Sequence, residues 1–201
     1  MTIIICPGIH EPKLTESFIS GWLYADSEKK PDTSLPLEPD ILVIPAEGIF
    51  TLSGFHIWQF MQDCLHNRLK SPVIFISFSA GVVGAIAAAT QWQMMGGNVQ
   101  AFIAIDGWGV PLWGDFPIHR LSHDYFTHWS SLLLGSGQDN FYAEPSVDHL
   151  TMWRSPQTVR GWWVNSSGGE INTRKNPLTA AEFLHLLLER YEPKQSGKQS
   201  Q

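Results

Sequence analysis

Short, almost wholly apolar runs alternate along the chain with longer segments in which apolar residues recur every three or four positions. These runs predict strands at 2–6, 41–44, 73–77 and 99–105, and two runs with more polar residues predict further strands at 118–123 and 140–147. The periodic segments predict helices at about 13–24, 53–70, 80–95, 127–134, 156–164 and 178–191. Continuously apolar strands are typical of a parallel sheet buried on both faces. The pattern therefore predicts an α/β fold, a three-layer sandwich around a mostly parallel six-stranded sheet.

The chain has the organisation of one domain. It is 201 residues long, and neither an internal repeat nor a linker divides it. A polar, proline-containing loop is predicted at 25–39, between the first helix and the second strand. We predict a single domain over 1–192 and a polar, disordered tail over 193–201.

Charge and cysteine content exclude several classes of function. The net charge is −6, the isoelectric point is near 5.7, and no five-residue run of lysine and arginine occurs, so no global field favours nucleic acid or an anionic membrane. The two cysteines form neither a disulfide framework nor a zinc motif. The N-terminus lacks the basic and long apolar regions of a signal peptide, and no stretch reaches the length of a membrane span. We expect no integral membrane segment and a cytoplasmic location.

The aromatic content is high for a domain of this size. The chain has 9 Trp, 11 Phe and 4 Tyr, whereas only 16% of its residues are charged, against roughly 25% in an average soluble protein. A core of this size needs few tryptophans. We therefore expect some of these rings to line a cleft or an interface.

The most specific motif is Ser77-Phe78-Ser79-Ala80-Gly81, which joins a predicted buried strand directly to a helix rich in small residues. This context is what a nucleophile elbow requires, because a tight turn there holds the Ser79 hydroxyl at the carboxyl end of the strand. Gly81, Gly84 and Ala85 allow the strand and helix backbones to approach closely. The hydroxyl would also lie at the helix amino end, where free amides favour a developing negative charge.

With this motif in this context, the chain resembles the α/β-hydrolase family, particularly its small members with little or no cap, such as minimal lipases and serine esterases. The resemblance covers the order of strands and helices over about 2–191. It departs from the family at Ser77, where a glycine is usual, although serine is small enough for the same turn. The resemblance implies a minimal α/β-hydrolase fold and a serine hydrolase that cleaves a carboxylic ester or thioester through an acyl-enzyme, with no cofactor.

The family order of serine, acid and histidine then assigns the other catalytic groups. The matching base is His149, just after the last predicted strand. The acid is expected at the end of the preceding strand, where Asp124 stands 25 residues before the histidine. Asp106, one strand earlier, and Asp139, close before the last strand, remain alternatives. The acid would accept the imidazole N–H and stabilise the imidazolium.

Two backbone amides are expected to form the oxyanion hole. One is the N–H of Ala80, next to the nucleophile. The second is the N–H of Ile9, in the loop after the first strand, where the family carries a similar glycine-containing turn. The side chain of His10 is expected to line the mouth of the site.

The segment 107–116 lies where related hydrolases insert a cap, and it is rich in aromatic residues and glycine. Its rings Trp108, Trp113 and Phe116 are expected to form an apolar wall that binds an acyl or alkyl group. Because the segment is short, the site is expected to be open. The partner is then a small-molecule ester or thioester, while the sequence leaves the oligomeric state undecided.

Two other interpretations compete with a serine hydrolase. The cluster His119, His123, Asp124 and His128 invites a metal site, but His119 and His123 on one strand are too far apart to share an ion, since each residue rises about 3.3 Å. We predict no metal. The alternatives in function are a non-catalytic binding protein that retains the fold, and an acyltransferase that uses the same three groups.

Overall fold

A computed structural model describes residues 1–23, 40–45, 48–65, 68–135, 137–165 and 173–192. The strands are β1 (Thr2–Cys6), β2 (Asp40–Val43), β3 (Pro72–Phe78), β4 (Asn98–Ile105), β5 (Ile118–Ser122), β6 (Asp139–Ala143), β7 (Arg160–Asn165) and β8 (Thr173–Thr179). The helices are α1 (Pro12–Leu23), α2 (Gly54–Leu65), α3 (Gly81–Met94), α4 (Tyr125–Leu132), α5 (His149–Arg154) and α6 (Ala180–Tyr191), with a 3-10 helix at Gly48–Leu52. The loop predicted at 25–39 and the tail predicted at 193–201 lie outside the described residues.

The strands form one sheet in the order β2-β1-β3-β4-β5-β6-β7-β8. The first six strands are parallel, and β7 and β8 add to the edge in antiparallel pairing. The α/β class with a mostly parallel sheet is confirmed. The predicted count of six strands is wrong, because the sheet has eight strands and mixed direction.

Two strands were missed: β8, at Thr173–Thr179, where no strand was predicted, and β7, in the segment 156–164, which we predicted as a helix. The second half of that segment is β7, which pairs along the whole length of β6, from Asp139 opposite Asn165 to Ala143 opposite Gly161. Gly161 lies so close to the neighbouring strand that a Cβ there would be 2.0 Å from the carbonyl oxygen of Tyr142. Pairing with a distant strand, which no local pattern encodes, therefore decides the conformation of this segment.

Helices cover both faces of the sheet, so side chains alternate between two cores along each central strand. On one face Ile3 and Ile5 pack beneath α1, α5 and α6, with the fully buried rings Trp22, Trp153 and Phe183. Ile4 and Cys6 point to the opposite core, which α2 and α3 cover. None of the described helices is long and apolar enough to cross a membrane.

A buried polar network joins α6 to the edge of the sheet that carries the amino ends of β5 and β6. His119 is fully buried; its Nδ1–H donates to the carbonyl of Asp139 at 3.1 Å, and its Nε2 accepts from the Tyr191 hydroxyl at 2.8 Å. The Asp139 carboxylate accepts from Arg190 at 2.6 Å and from the Trp163 indole at 2.7 Å. Burial lowers the pKa of His119 to about 4, so this imidazole is neutral in the folded protein at neutral pH.

The neutral state of His119 predicts a loss of stability in mild acid. Because the unfolded imidazole takes a proton near pH 6.5 while the folded one resists protonation down to about pH 4, acidification favours unfolding throughout this interval. We expect the free energy of unfolding to fall by about 3 kcal/mol between these two pH values. Urea denaturation at several pH values measures this change.

The variant His119→Gln is the control, since an amide can replace both hydrogen bonds without titrating. In this variant the free energy of unfolding should depend much less on pH within this interval. An unchanged pH dependence would contradict the neutral state of buried His119. The lowered pKa values of Asp106 and Asp139 stabilise the fold above pH 3.8, their ordinary pKa. This stabilisation is lost only when the pH falls below the interval in which His119 is titrated. The raised pKa of His123 stabilises the fold below pH 6.5, and this stabilisation is lost only as the pH rises above the same interval.

Candidate active site

Ser79 lies in the tight turn between β3 and α3. Its φ angle is 52°, in the left-handed region that serine seldom adopts, as the strained elbow predicts. The turn is held by its own N–H, which donates to the carbonyl of Ile105 at 2.9 Å. Gly81 is needed here, because a Cβ at this position would lie 2.3 Å from the Pro7 carbonyl oxygen and 2.5 Å from that of Cys6. The loop after β1 is therefore in direct contact with the elbow.

His149 is the first residue of α5, a helix capped by the side chain of Asp148. The Ser79 hydroxyl donates to His149 Nε2 across 2.9 Å. The imidazole stacks on Phe78 with ring centroids 4.6 Å apart, and Phe78 in turn stacks on the buried Trp153 at 4.8 Å. The core therefore fixes the ring plane of the histidine from below.

Asp106 follows β4 and is the third member of this line of contacts. Its Oδ2 accepts from His149 Nδ1–H at 2.9 Å, and its Oδ1 accepts from the backbone N–H of His123 at 2.8 Å. The side chain is only 1% exposed. Burial opposes ionisation of this carboxyl, but the hydrogen bonds from His123 and His149 outweigh it and hold the pKa below its ordinary value. Asp106 is therefore an ionised acceptor beneath the imidazole.

The expected contact of Asp124 with the His149 imidazole is wrong, and Asp106 takes its place. Asp124 Oδ1 instead accepts from the N–H of Thr127 at 2.6 Å and caps α4. The reason lies in the sheet order: β4 is the neighbour of β3, whereas β5, which precedes Asp124, is one strand further away. Asp139, the other alternative, is the first residue of β6, so it lies at the amino ends of the parallel strands, away from Ser79, and its carboxylate binds Arg190.

A second histidine, His123, shares the carboxylate of Asp106. Its Nδ1 lies 3.0 Å from Asp106 Oδ2, although not along the line of a good hydrogen bond, and its Nε2 lies 3.6 Å from Asp124 Oδ2. Contact with Asp106 raises the pKa of His123 against the opposing effect of burial. The ring meets that of His149 edge to face, with centroids 6.0 Å apart.

The spacing of these three groups also bears on metal binding. Asp106, His123 and His149 each place one donor atom within 4.8 Å of the others. His149 Nδ1–H donates a hydrogen bond to Asp106 Oδ2, whereas His123 Nδ1 lies 3.0 Å from the same oxygen without hydrogen-bond geometry, so this oxygen already accepts from one imidazole. Of the cluster considered from the sequence, His119 belongs to the network at the far edge of the sheet.

A cavity of about 560 Å³ opens above Ser79, Asp106 and His149. Its apolar lining comes from four different segments of the chain, namely Leu52, Val83, Trp108 with Val110, and Phe126. Among the described residues that line it there is no lysine or arginine, whereas the carboxyl of Asp124 is present. The cavity is thus mostly apolar, with the carboxyl of Asp124 as a negatively charged group in its lining.

The predicted aromatic wall is present only in part. Trp108 lines the cavity, and its indole N–H donates to Ser130 Oγ of α4 at 3.0 Å. Trp113 is 58% exposed and is not among the described residues that line the cavity. The prediction for Phe116 is wrong: its ring is 6% exposed and packs in the core near Phe102 because the segment 107–116 folds back onto the sheet.

The residues expected after β1 have different positions. The predicted position of His10 at the mouth of the site is wrong, because the residue is not among the described residues that line the cavity. Its ring packs near Phe78 and Trp153. Its Nδ1–H donates to the carbonyl of Glu11 at 2.9 Å. The amides of Ile9 and Ala80 have no hydrogen-bond acceptor among the described residues. Both are therefore available as donors, and Ala80 lines the cavity.

Sequence reasoning missed His123 and most of the apolar lining. Val83 carried a usable signal, since it lies one helical turn after the serine. Leu52, Val110 and Phe126 carried none, because their approach to the serine depends on how distant segments pack. His123 was considered only as a metal ligand.

No protein-family model matches the chain, and no curated protein matches it, so neither comparison assigns a family to the protein. The case for an α/β-hydrolase therefore depends on the residues and their geometry.

The geometry predicts effects of very different size for two aspartate variants. Asp106→Asn should slow labelling of Ser79 by a fluorophosphonate probe by about 10³–10⁴-fold, because an amide cannot stabilise the imidazolium. Asp124→Asn should slow it by less than about tenfold, since an asparagine oxygen still caps α4. Rate constants of labelling, measured by intact mass, compare the two. The reverse order of effects would return the role of the acid to Asp124.

Proposed function

We propose that this protein is a serine hydrolase of the α/β-hydrolase type that cleaves a neutral carboxylic ester or thioester through an acyl-enzyme. One observation carries the proposal: Ser79 Oγ, His149 and Asp106 are joined by two contacts of 2.9 Å at the carboxyl end of the sheet, beneath an open apolar cavity. A nucleophile, a base and a group that orients the base are the three parts that activation of a serine requires.

In the first half of the reaction, Ser79 Oγ attacks the carbonyl carbon of the ester and His149 Nε2 takes the hydroxyl proton. Asp106 accepts the hydrogen bond from Nδ1 and stabilises the imidazolium. His149 then gives the proton to the leaving alcohol or thiol, which departs and leaves the acyl group on Ser79. In the second half, water attacks the acyl carbon with His149 again as the base, the bond between that carbon and Ser79 Oγ breaks, and His149 returns the proton to Oγ as the carboxylic acid is released.

The oxyanion of each tetrahedral intermediate requires donors that are in position before the reaction. The free amide of Ala80 lies next to the nucleophile at the start of α3, whose amino end favours negative charge. The free amide of Ile9 belongs to the loop that contacts the elbow at Gly81. These two amides are the proposed oxyanion hole.

The cavity lining favours a neutral acyl group. Apolar side chains surround the serine, and the cavity has the volume of a pocket for a small molecule. A negatively charged acyl group would meet the carboxyl of Asp124, and the described lining residues include no lysine or arginine to offset it. Esters of neutral acids should therefore react faster than half-esters of dicarboxylic acids.

Ser79→Ala tests the proposal. The wild-type protein should turn over a panel of p-nitrophenyl esters of increasing acyl length and should bind a fluorophosphonate probe covalently. The variant should lose both, with turnover reduced at least about 10³-fold, because no other group supplies the nucleophile.

The matched control is Ser17→Ala, which removes an exposed hydroxyl on α1 that bonds only to Lys13 O among the described residues. This variant should retain labelling and turnover. Folded wild-type protein without labelling or turnover would sink the proposal and favour a non-catalytic binding protein. Labelling without hydrolysis, restored by an added alcohol or thiol acceptor, would instead identify an acyltransferase.

A further inference from the structure

The candidate site contains a second histidine, His123, in addition to the serine, histidine and acid that the proposed reaction requires. Asp106 Oδ2 is approached by two imidazoles, His149 at 2.9 Å and His123 at 3.0 Å. The same aspartate also binds the backbone N–H of His123 through Oδ1. A single buried carboxylate therefore connects the candidate base to a second histidine that also lines the cavity.

The charges around the two rings differ. His123 faces Asp106 at the end of β4, Asp124 at the start of α4 and, further away, Asp148 at the start of α5. His149 contacts Asp106, and its other nitrogen is occupied by the serine hydroxyl. Two carboxylates thus lie within 3.6 Å of the His123 nitrogens, and only one lies in contact with His149.

Two positive charges on these rings would repel each other. The centroids are 6.0 Å apart, well inside the distance over which partly buried charges interact. One carboxylate between them cannot fully offset both charges. As the pH falls, the ring with more carboxylate neighbours therefore takes the first proton, and protonation of the other is delayed.

We propose that His123 is a positioning residue that takes up the first proton at Asp106 and so keeps His149 available as a neutral base at lower pH. This role rests on the proposed function, since it concerns the base of that reaction. His123 touches no reacting atom in it and acts on His149 through charge.

The expected effect has a definite sign. The imidazolium of His123 disfavours a second positive charge on His149. Replacing His123 with the neutral His123→Gln removes this repulsion, so His149 should take its proton at a higher pH. At the separation of the two rings, with the dielectric screening of a partly exposed site, the shift should be about one pH unit.

Histidine ring titration by NMR measures this shift directly, without reference to any substrate. In ¹⁵N-labelled wild-type protein, His123 should gain its proton at a higher pH than His149. In His123→Gln, the midpoint of His149 should rise by about one pH unit. The pH dependence of fluorophosphonate labelling is the second readout, and its acidic half-point should rise by the same amount.

Two further variants separate charge from structure. Asp124→Asn retains the oxygen that caps α4 but removes a charge near His123, so the midpoint of His123 should fall. His185→Gln removes an imidazole in α6 that bonds to Trp22 O, outside the described cavity lining, and should leave both midpoints unchanged.

Three outcomes are distinguishable. An unchanged His149 midpoint in His123→Gln, or a first proton on His149 in the wild type, would overturn the inference whatever the activity. A shift by NMR together with a parallel shift in labelling supports it. A shift by NMR in a protein that no probe labels would support the coupling between the two rings and contradict the proposed function alone.

Discussion

The buried carboxylate of Asp106 is the contact on which the geometry of the site depends. It accepts from His149 at the start of α5 and from the backbone of His123 at the end of β5, while the Asp106 N–H donates to Leu121 O at 2.8 Å. Three segments that are distant in the sequence are thereby held at one point beside Ser79. The left-handed φ of 50° at Asp106 directs its side chain into this junction.

The aromatic residues complete this arrangement from below. Phe18 stacks on Trp153 at 3.8 Å, Trp153 on Phe78, and Phe78 on the His149 imidazole. This column extends from α1 to the imidazole of His149. The unusual aromatic content therefore has two places in the structure: a core that supports His149, and an exposed margin at the cavity that includes Trp108 and Phe126.

The local sequence predicts the parts of the structure that local physics determines. The strands β1, β3 and β4 are mostly apolar because both faces are buried, and the elbow is recognisable because only small residues fit its close approach at Gly81. The choice between Asp124 and Asp106 depends on which strand lies beside β3, and that is a property of the sheet. The strand β7 was missed for the same reason, since pairing with β6 overrides the local pattern.

The most direct test of the account is a crystal structure of the protein after reaction with a phosphonate ester. The proposed mechanism predicts a bond between phosphorus and Ser79 Oγ, with the phosphoryl oxygen about 2.7–3.1 Å from the amides of Ala80 and Ile9. His149 Nδ1 should remain bonded to Asp106. An adduct on another residue, or a phosphoryl oxygen directed away from both amides, would contradict the account.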